Sequence, residues 1–294
     1  MLNRLRSEIR NFSKKYFGNE LQHPSYVEIA PGWPAEVMQA TTPGEDTFVD
    51  YLLSRRRCPL IIRAFIWRYL TGIVFNGALW GDNNRIRKHF SGLQRALSKF
   101  YTQQHAKPER IRRYQQWKQA TTKLALELHE IPPIDPRFDT MARRHATAIS
   151  KVLTPFMRTD PGGHMDSLVE IINQAIELDR EISQQLPLIT WAFKPRPSEA
   201  TFPGSAEPTF NFSRDQGNIM KLQRGESMPT RVAEGGEAKV YLVVAPGLTQ
   251  RGEDNGQATS FGEEVWIEKM HVSCVEPRMQ ATFGPRNGGY AIQS

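Results

Sequence analysis

Arg85, Lys88, Arg95 and Lys99 recur at spacings that place them within about 80° of one another on a helix. With the triplet Arg55-Arg56-Arg57 they are the side chains of this sequence best suited to meeting an anion. Guanidinium forks match carboxylates and phosphates in geometry. Solvated helices usually mix signs at i and i+4, whereas the face holding these four carries one sign only. Such a face is relieved either by carboxylates from elsewhere in the chain or by a bound anion. The triplet has the same two outcomes: phosphates of a partner, or the nearby acids Glu45, Asp46 and Asp50. Cys58 follows the triplet and precedes Pro59 at an expected helix start, where cations and helix dipole both stabilise a thiolate. It is the one plausible nucleophile. None of the seven histidines stands at a recognisable spacing to serve as its base, which favours burial or N-capping instead.

Other chemistry finds little footing. His271 and Cys274 lie three apart in a strand-like run, so they point to opposite faces. Two cysteines are too few for a structural zinc site. Glu170, Glu177 and Glu181 share the solvent side of their expected helix. Phe65, Trp67, Tyr69, Phe75 and Trp80 alternate with arginine but do not share a face, as core residues would not. Phosphate-loop, dinucleotide, nucleophile-elbow and zinc-protease motifs are missing. Neither a cofactor nor a metal is implied.

The basic residues are unevenly spread. Between Tyr51 and Pro108 eleven Lys or Arg face one acid, Asp82, giving +10 against +7 for all 294 residues. The remainder sums to −3. The leading expectation is therefore a non-enzymatic helical interaction domain presenting a basic surface to an acidic partner. Nucleic acid on the same face is the first alternative. Four phosphates there would give log affinity a slope against log salt of about −3.6. A thiol-dependent enzyme at Cys58 is the second.

The elements that must position these residues are mostly helices. Thr42-Pro43-Gly44-Glu45 is a capping box, opening a helix to about Arg56. Pro59 opens a second that runs to Trp80 and Gly81. Asp82 caps a third, with Ile86, Phe90, Leu93, Leu97 and Phe100 inward. Pro108 opens a fourth, with Ile111, Tyr114, Trp117, Leu124 and Leu128 inward. Asp135-Pro136 opens a fifth, carrying Phe138, Met141, Ile149, Val152 and Phe156. A sixth carries Leu168, Ile171, Ile172, Ala175, Leu178, Ile182 and Leu186 after the turn at 160–163. The expected fold is mainly α: a helical bundle over 1–193, a Pro/Gly-rich linker over 194–231, and a loosely ordered extension over 232–294. That extension holds two strand-like segments, 238–244 and 265–274, able to pair as a short β-hairpin. Two strands alone are marginal in water, so they must pair, dock on the helices or stay mobile.

Leu2, Leu5, Ile9, Phe12 and Tyr16 make residues 1–17 a basic amphipathic helix without the apolar run of a secretory signal. It reads as an ordinary first helix. Peripheral membrane contact through it and mitochondrial targeting are alternatives, the latter opposed by Glu8. The stretch 58–80 holds ten Leu, Ile, Phe and Val, worth about 3 to 6 kcal/mol towards membrane insertion. Arg68 near its centre costs about 2.5 to 3.5 kcal/mol, and Arg63, Asn76 and two glycines erode the rest, which favours a buried central helix over a span. Two cysteines form no disulfide framework, consistent with an intracellular setting in cytoplasm or nucleus.

Three stretches carry a likeness: Arg55-Arg56-Arg57 to Trp80, Met141 to His145 leading to Leu153-Thr154-Pro155-Phe156, and the tail Val240 to Leu248 with Arg251-Gly252 and Met270 to Cys274. In these the chain resembles a group of uncharacterised intracellular proteins of filamentous fungi. The resemblance implies a fungal intracellular origin and one helical unit with an extension, and no activity, cofactor or catalytic residue.

Overall fold

A helix that is apolar on every side has to be surrounded, and the segment from Cys58 meets that requirement. The structure, a computed structural model, describes residues 1–17, 37, 41, 51–52, 54, 56–75, 77, 79, 89–90, 92–94, 96–97, 107–128, 136–157, 162–193 and 211–274. Over these residues the protein is mainly α. Helix α1 spans Leu2–Phe17 and buries Leu5, Ile9, Phe12 and Tyr16, the apolar stripe of the sequence. Helix α2 spans Cys58–Leu70, with Pro59 in its first turn and Ile61, Ile62, Phe65, Ile66, Trp67 and Leu70 all buried. By length and composition alone Cys58–Phe75 suffices to cross a membrane, with a mean hydropathy of 1.4, yet most of it is enclosed by the rest of the fold.

The expected run of α2 to Trp80 does not occur. The helix widens to a π-helix over Thr71–Phe75. The Thr71 hydroxyl donates to the Trp67 carbonyl at 2.9 Å, competing with the backbone ladder. The chain then turns at Gly77, where a Cβ would sit 2.0 Å from the Ile73 carbonyl oxygen. Only glycine permits that approach.

Helices α3 (Pro108–Leu128) and α4 (Pro136–Leu153) both begin on proline, as read from the sequence. A 3₁₀ turn, Thr154–Phe156, ends α4. Helix α5 (His164–Ser183) is entered through Gly163 at φ 76°, a left-handed position suited to glycine. Ile111, Tyr114, Ile149, Val152 and Phe156 are buried as expected, but Leu93 and Leu124 are 46% and 54% exposed. The expected helix over 42–56 and most of the one from Asp82 lie outside the described residues.

One core joins α1, α2, α4 and α5. Its last wall is β-structure. Strand β1 (Leu188–Ala192) follows α5, and its Trp191 stacks on Phe75 at 4.2 Å and packs against Trp67 at 5.6 Å. Short β2 (Asn211–Phe212), β3 (Met220–Leu222) and β4 (Ala238–Lys239) follow, with a one-turn helix α6 (Thr230–Ala233) between β3 and β4. Strand β5 (Leu242–Ala245) lies on α2 and contributes Leu242, Val244 and Ala245 to the same core. Burying Leu242 and Val244 contributes about 1.5 to 3 kcal/mol each. Then come β6 (Gly247–Arg251), β7 (Val265–Glu268) and β8 (Met270–Ser273).

The strands form the sheets β1-β6-β7 and β3-β8-β5 and the pair β2-β4. The two strand-like segments do pair, Leu242 opposite Ser273, antiparallel. They are not a hairpin, because β6 and β7 intervene and join β1 instead. A lone two-stranded ribbon is marginal, and this one gains a third strand, β3, and a helix to lie on. Of the expected linker, residues 211–231 carry β2, β3 and α6; residues 194–210 lie outside the described set. Over 232–274 the expected loose extension is paired and packed, and 275–294 are likewise outside it.

A second contact holds the tail to α3. Phe261, in the 3₁₀ segment Ala258–Gly262, is buried with Ile111 and Tyr114. Gly252 backs its ring at φ 87°, and a Cβ there would lie 2.4 Å from the nearest ring carbon. Gly252→Ala combines a left-handed strain with overpacking and is expected to lower unfolding free energy by about 2 kcal/mol. Urea denaturation checks this; a midpoint unchanged from wild type refutes the packing described.

Candidate anion-binding site

The α1 stripe that packs inward leaves Arg6 and Arg10 one turn apart beside it, on a helix that packs against α2 and α5. Arg63 projects from α2 and is 5% exposed. Lys221 and His271 are direct neighbours across the parallel β3-β8 ladder. These five groups lie close enough to act on one another electrostatically: Lys221, Arg6, Arg63 and Arg10 all oppose a charge on His271, and Arg10 and Arg6 oppose that of Arg63. Two helices and two strands, drawn from both ends of the chain, therefore bring these basic groups into one cluster.

Its counter-charge is thin. Arg6 donates to Glu268 at 2.6 Å and to the Pro246 carbonyl at 3.0 Å, tying α1 to β7 and to the β5-β6 junction. Arg10 reaches only the Ser7 hydroxyl at 3.5 Å. Arg63 makes no hydrogen bond or ion pair among the described residues, and its Nε is buried without a partner. Lys221 is exposed at the rim. Burial, with Arg10 and Arg6 nearby, pulls the Arg63 guanidinium down to about 10, so it stays charged at neutral pH. Burial, then Lys221 and the three arginines, pulls His271 down to about 3, leaving it neutral, with Nε2 buried and unpartnered. Buried charges are normally paired, and an unpaired one costs several kcal/mol. A cluster of this kind can do one thing well: stabilise negative charge brought to it.

The residues singled out in the sequence fare differently. Arg55, Arg85, Lys88, Arg95 and Lys99 lie outside the described residues. Arg56 is exposed. Arg57 lies in the field of Glu226, which also accepts from the Cys274 amide at 3.3 Å. That carboxylate comes from residues read as linker; Glu45, Asp46 and Asp50 lie outside the described residues. Cys58 is buried, and desolvation pushes its thiol up to about 12, opposite to the activation that its helix start and arginines suggest. Arg68 is capped by the Phe193 ring at 4.8 Å. Among the described residues no group of three His, Cys, Asp or Glu side chains could hold a metal ion. Arg6, Arg10 and Lys221 were not singled out in the sequence, and His271 was weighed there only as a metal ligand with Cys274. Only the tertiary fold brings them together, and the one local signal was Arg63 inside an otherwise apolar helix.

A separate cavity of 830 Å³ lies beside the π-helix, reached by Gln115, Lys118, His145, Asp179 and Trp191. Desolvation lowers the Lys118 ammonium, with Asp179 opposing. The Tyr69 hydroxyl and His145 Nδ1 are 3.0 Å apart at its edge.

Two outcomes test the cluster. Replacing an unpaired buried cation by an apolar side chain of similar length removes an uncompensated charge, so Arg63→Met is expected to raise unfolding free energy in anion-poor buffer by about 1 to 3 kcal/mol. A lowered denaturation midpoint shows instead that Arg63 is internally satisfied. His271 has a folded value below its unfolded one near 6.5, so the unfolded chain takes the proton first. Its contribution is complete above pH 6.5 and is lost as pH falls towards 3. Below 6.5 the wild type is expected to lose roughly 1.4 kcal/mol per pH unit more than His271→Gln. Parallel stability curves for the two proteins refute the burial of a neutral His271 among Arg6, Arg10, Arg63, Lys221 and Glu268. No protein-family model, no curated protein and no solved structure matches the chain.

Proposed function

We propose that this protein is a non-enzymatic interaction protein that holds an acidic protein partner through its basic surface. The helices serve as a bundle-like scaffold for that surface. The observation that carries the reading is Arg63: a residue 5% exposed, without a hydrogen bond or ion pair among the described residues, flanked by Arg6 and Arg10. A core position tolerates such a cost where something outside the fold repays it. Arg4, Arg6, Arg10, Lys14 and Lys15 give α1 a basic flank that leads to the cluster, with Glu8 its one acid. The skewed charge of residues 51–108 adds Arg55, Arg56, Arg57, Arg85, Lys88, Arg95 and Lys99 as a second contact set on the same partner. Long-range attraction between such a surface and an acidic segment speeds encounter and fades with salt.

The peripheral membrane alternative is less well supported. The apolar face of α1 that would enter a bilayer is occupied by the core, with Ile9 and Leu5 essentially unexposed. Nucleic acid remains a competing anion and forms one arm of the test. Fluorescence anisotropy with a Glu/Asp-rich peptide, duplex DNA and single-stranded DNA, each titrated with salt, separates them. The peptide is expected to bind at low salt and to weaken at least tenfold in Arg10→Glu/Lys221→Glu, whose side chains lie at the rim. Tighter binding of DNA, with a slope of about −3.6, assigns the face to nucleic acid instead. Absence of binding by all three probes at low salt overturns the reading.

A further inference from the structure

We infer that the cluster of Arg6, Arg10, Arg63, Lys221 and His271 takes a phosphomonoester or phosphate dianion. The inference rests on the acidic-partner reading for its location and goes beyond it in naming the group bound. The charge balance favours a dianion over a carboxylate. Glu268 matches Arg6, leaving Arg10, Arg63 and Lys221 without an acid among the described residues. One carboxylate would leave two of those charges unmet, whereas a phosphate dianion leaves one.

Donor geometry points the same way. The donors come from separate elements, α1, α2 and β3 with His271 on β8, and a phosphate offers them three or four acceptor oxygens where a carboxylate offers two. Arg clusters recognise phosphorylated side chains in this manner. His271 Nε2 is the remaining unpartnered atom, and it becomes a donor if the imidazole takes a proton when the anion arrives. Burial is the first cause of its neutrality and the opposing charges of Lys221, Arg6, Arg63 and Arg10 the second, and the same anion would offset the second. The phosphoryl group has two sources, a phosphorylated residue of the acidic partner or free phosphate.

Calorimetric titration of the full chain tests this with inorganic phosphate, acetate, and an acidic peptide in serine and phosphoserine forms. Phosphate is expected to bind and acetate not, with proton uptake seen as a heat that varies between buffers of different ionisation enthalpy. Arg63→Met and Lys221→Glu are each expected to weaken phosphate at least tenfold, and His271→Gln to abolish the proton uptake. Lys221 is exposed, so its variant is informative even if Arg63→Met alters folding. Tighter binding of the phosphoserine peptide than the serine peptide, by tenfold or more, assigns the group to the partner. Phosphate binding with neither peptide binding assigns free phosphate and overturns the acidic-partner reading. Equal affinity of the two peptides, both lost in Lys221→Glu, overturns the phosphoryl inference and leaves the acidic-partner reading standing. Phosphate affinity unchanged within twofold in both cation variants also overturns it.

Discussion

The need to cover α2 on every side organises this molecule. Local sequence makes it a helix, but no single neighbour can enclose Ile61, Phe65, Ile66, Trp67 and Leu70. The cover is assembled from distant segments: α1 from the first residues, α4 and α5 from the middle, and β5 from far along the chain. Arg6 then fastens the two ends, bridging to Glu268 and the Pro246 carbonyl. Such a clamp, half-buried and doubly bonded, is worth more than an exposed ion pair, because solvent screens it less.

The same helix carries the molecule's least comfortable groups. Arg68 and Arg63 both lie on α2, yet they are handled differently. Arg68 lies over the Phe193 ring, which supplies a favourable face for its charge. Arg63 meets two further arginines. If core packing alone had shaped both positions, an apolar side chain would serve better at residue 63, since isosteric apolar replacement of buried ions is often neutral or stabilising. Both keep a buried Nε without a hydrogen bond, and they differ in what faces the charge: an aromatic ring at Arg68 and like charges at Arg63.

Much of the helical layout was legible because it rests on short-range signals. Proline opens α2, α3 and α4 near or at the expected residue, glycine precedes α5, and the 3.6-residue stripe of α1 and α5 is the buried one. The exits were harder. The widening at Thr71–Phe75 depends on a threonine hydroxyl and on room for Gly77, which periodicity does not encode. The strand-like runs were visible, but their partners were not: β1 hides in the sequence directly after α5, and β3 hides among prolines and glycines. The basic cluster around Arg63 was nearly invisible. Its members lie at positions 6, 10, 63, 221 and 271, and nothing in a linear pattern links them. Of the basic residues that do stand out together, Arg57 lies in the field of Glu226 and Arg56 is exposed, while the other five lie outside the described residues.

The placement of β5 also sets an order of events during synthesis. Helices α1 to α5 leave the ribosome well before Leu242 and Val244, so the nascent α2 waits with one apolar side open until the last wall arrives. Domains dominated by such distant pairings fold slowly and expose sticky surface meanwhile. Its helical two-thirds, released alone by proteolysis or a premature stop, keeps that side of α2 open and is a natural client for chaperones rather than a smaller folded unit.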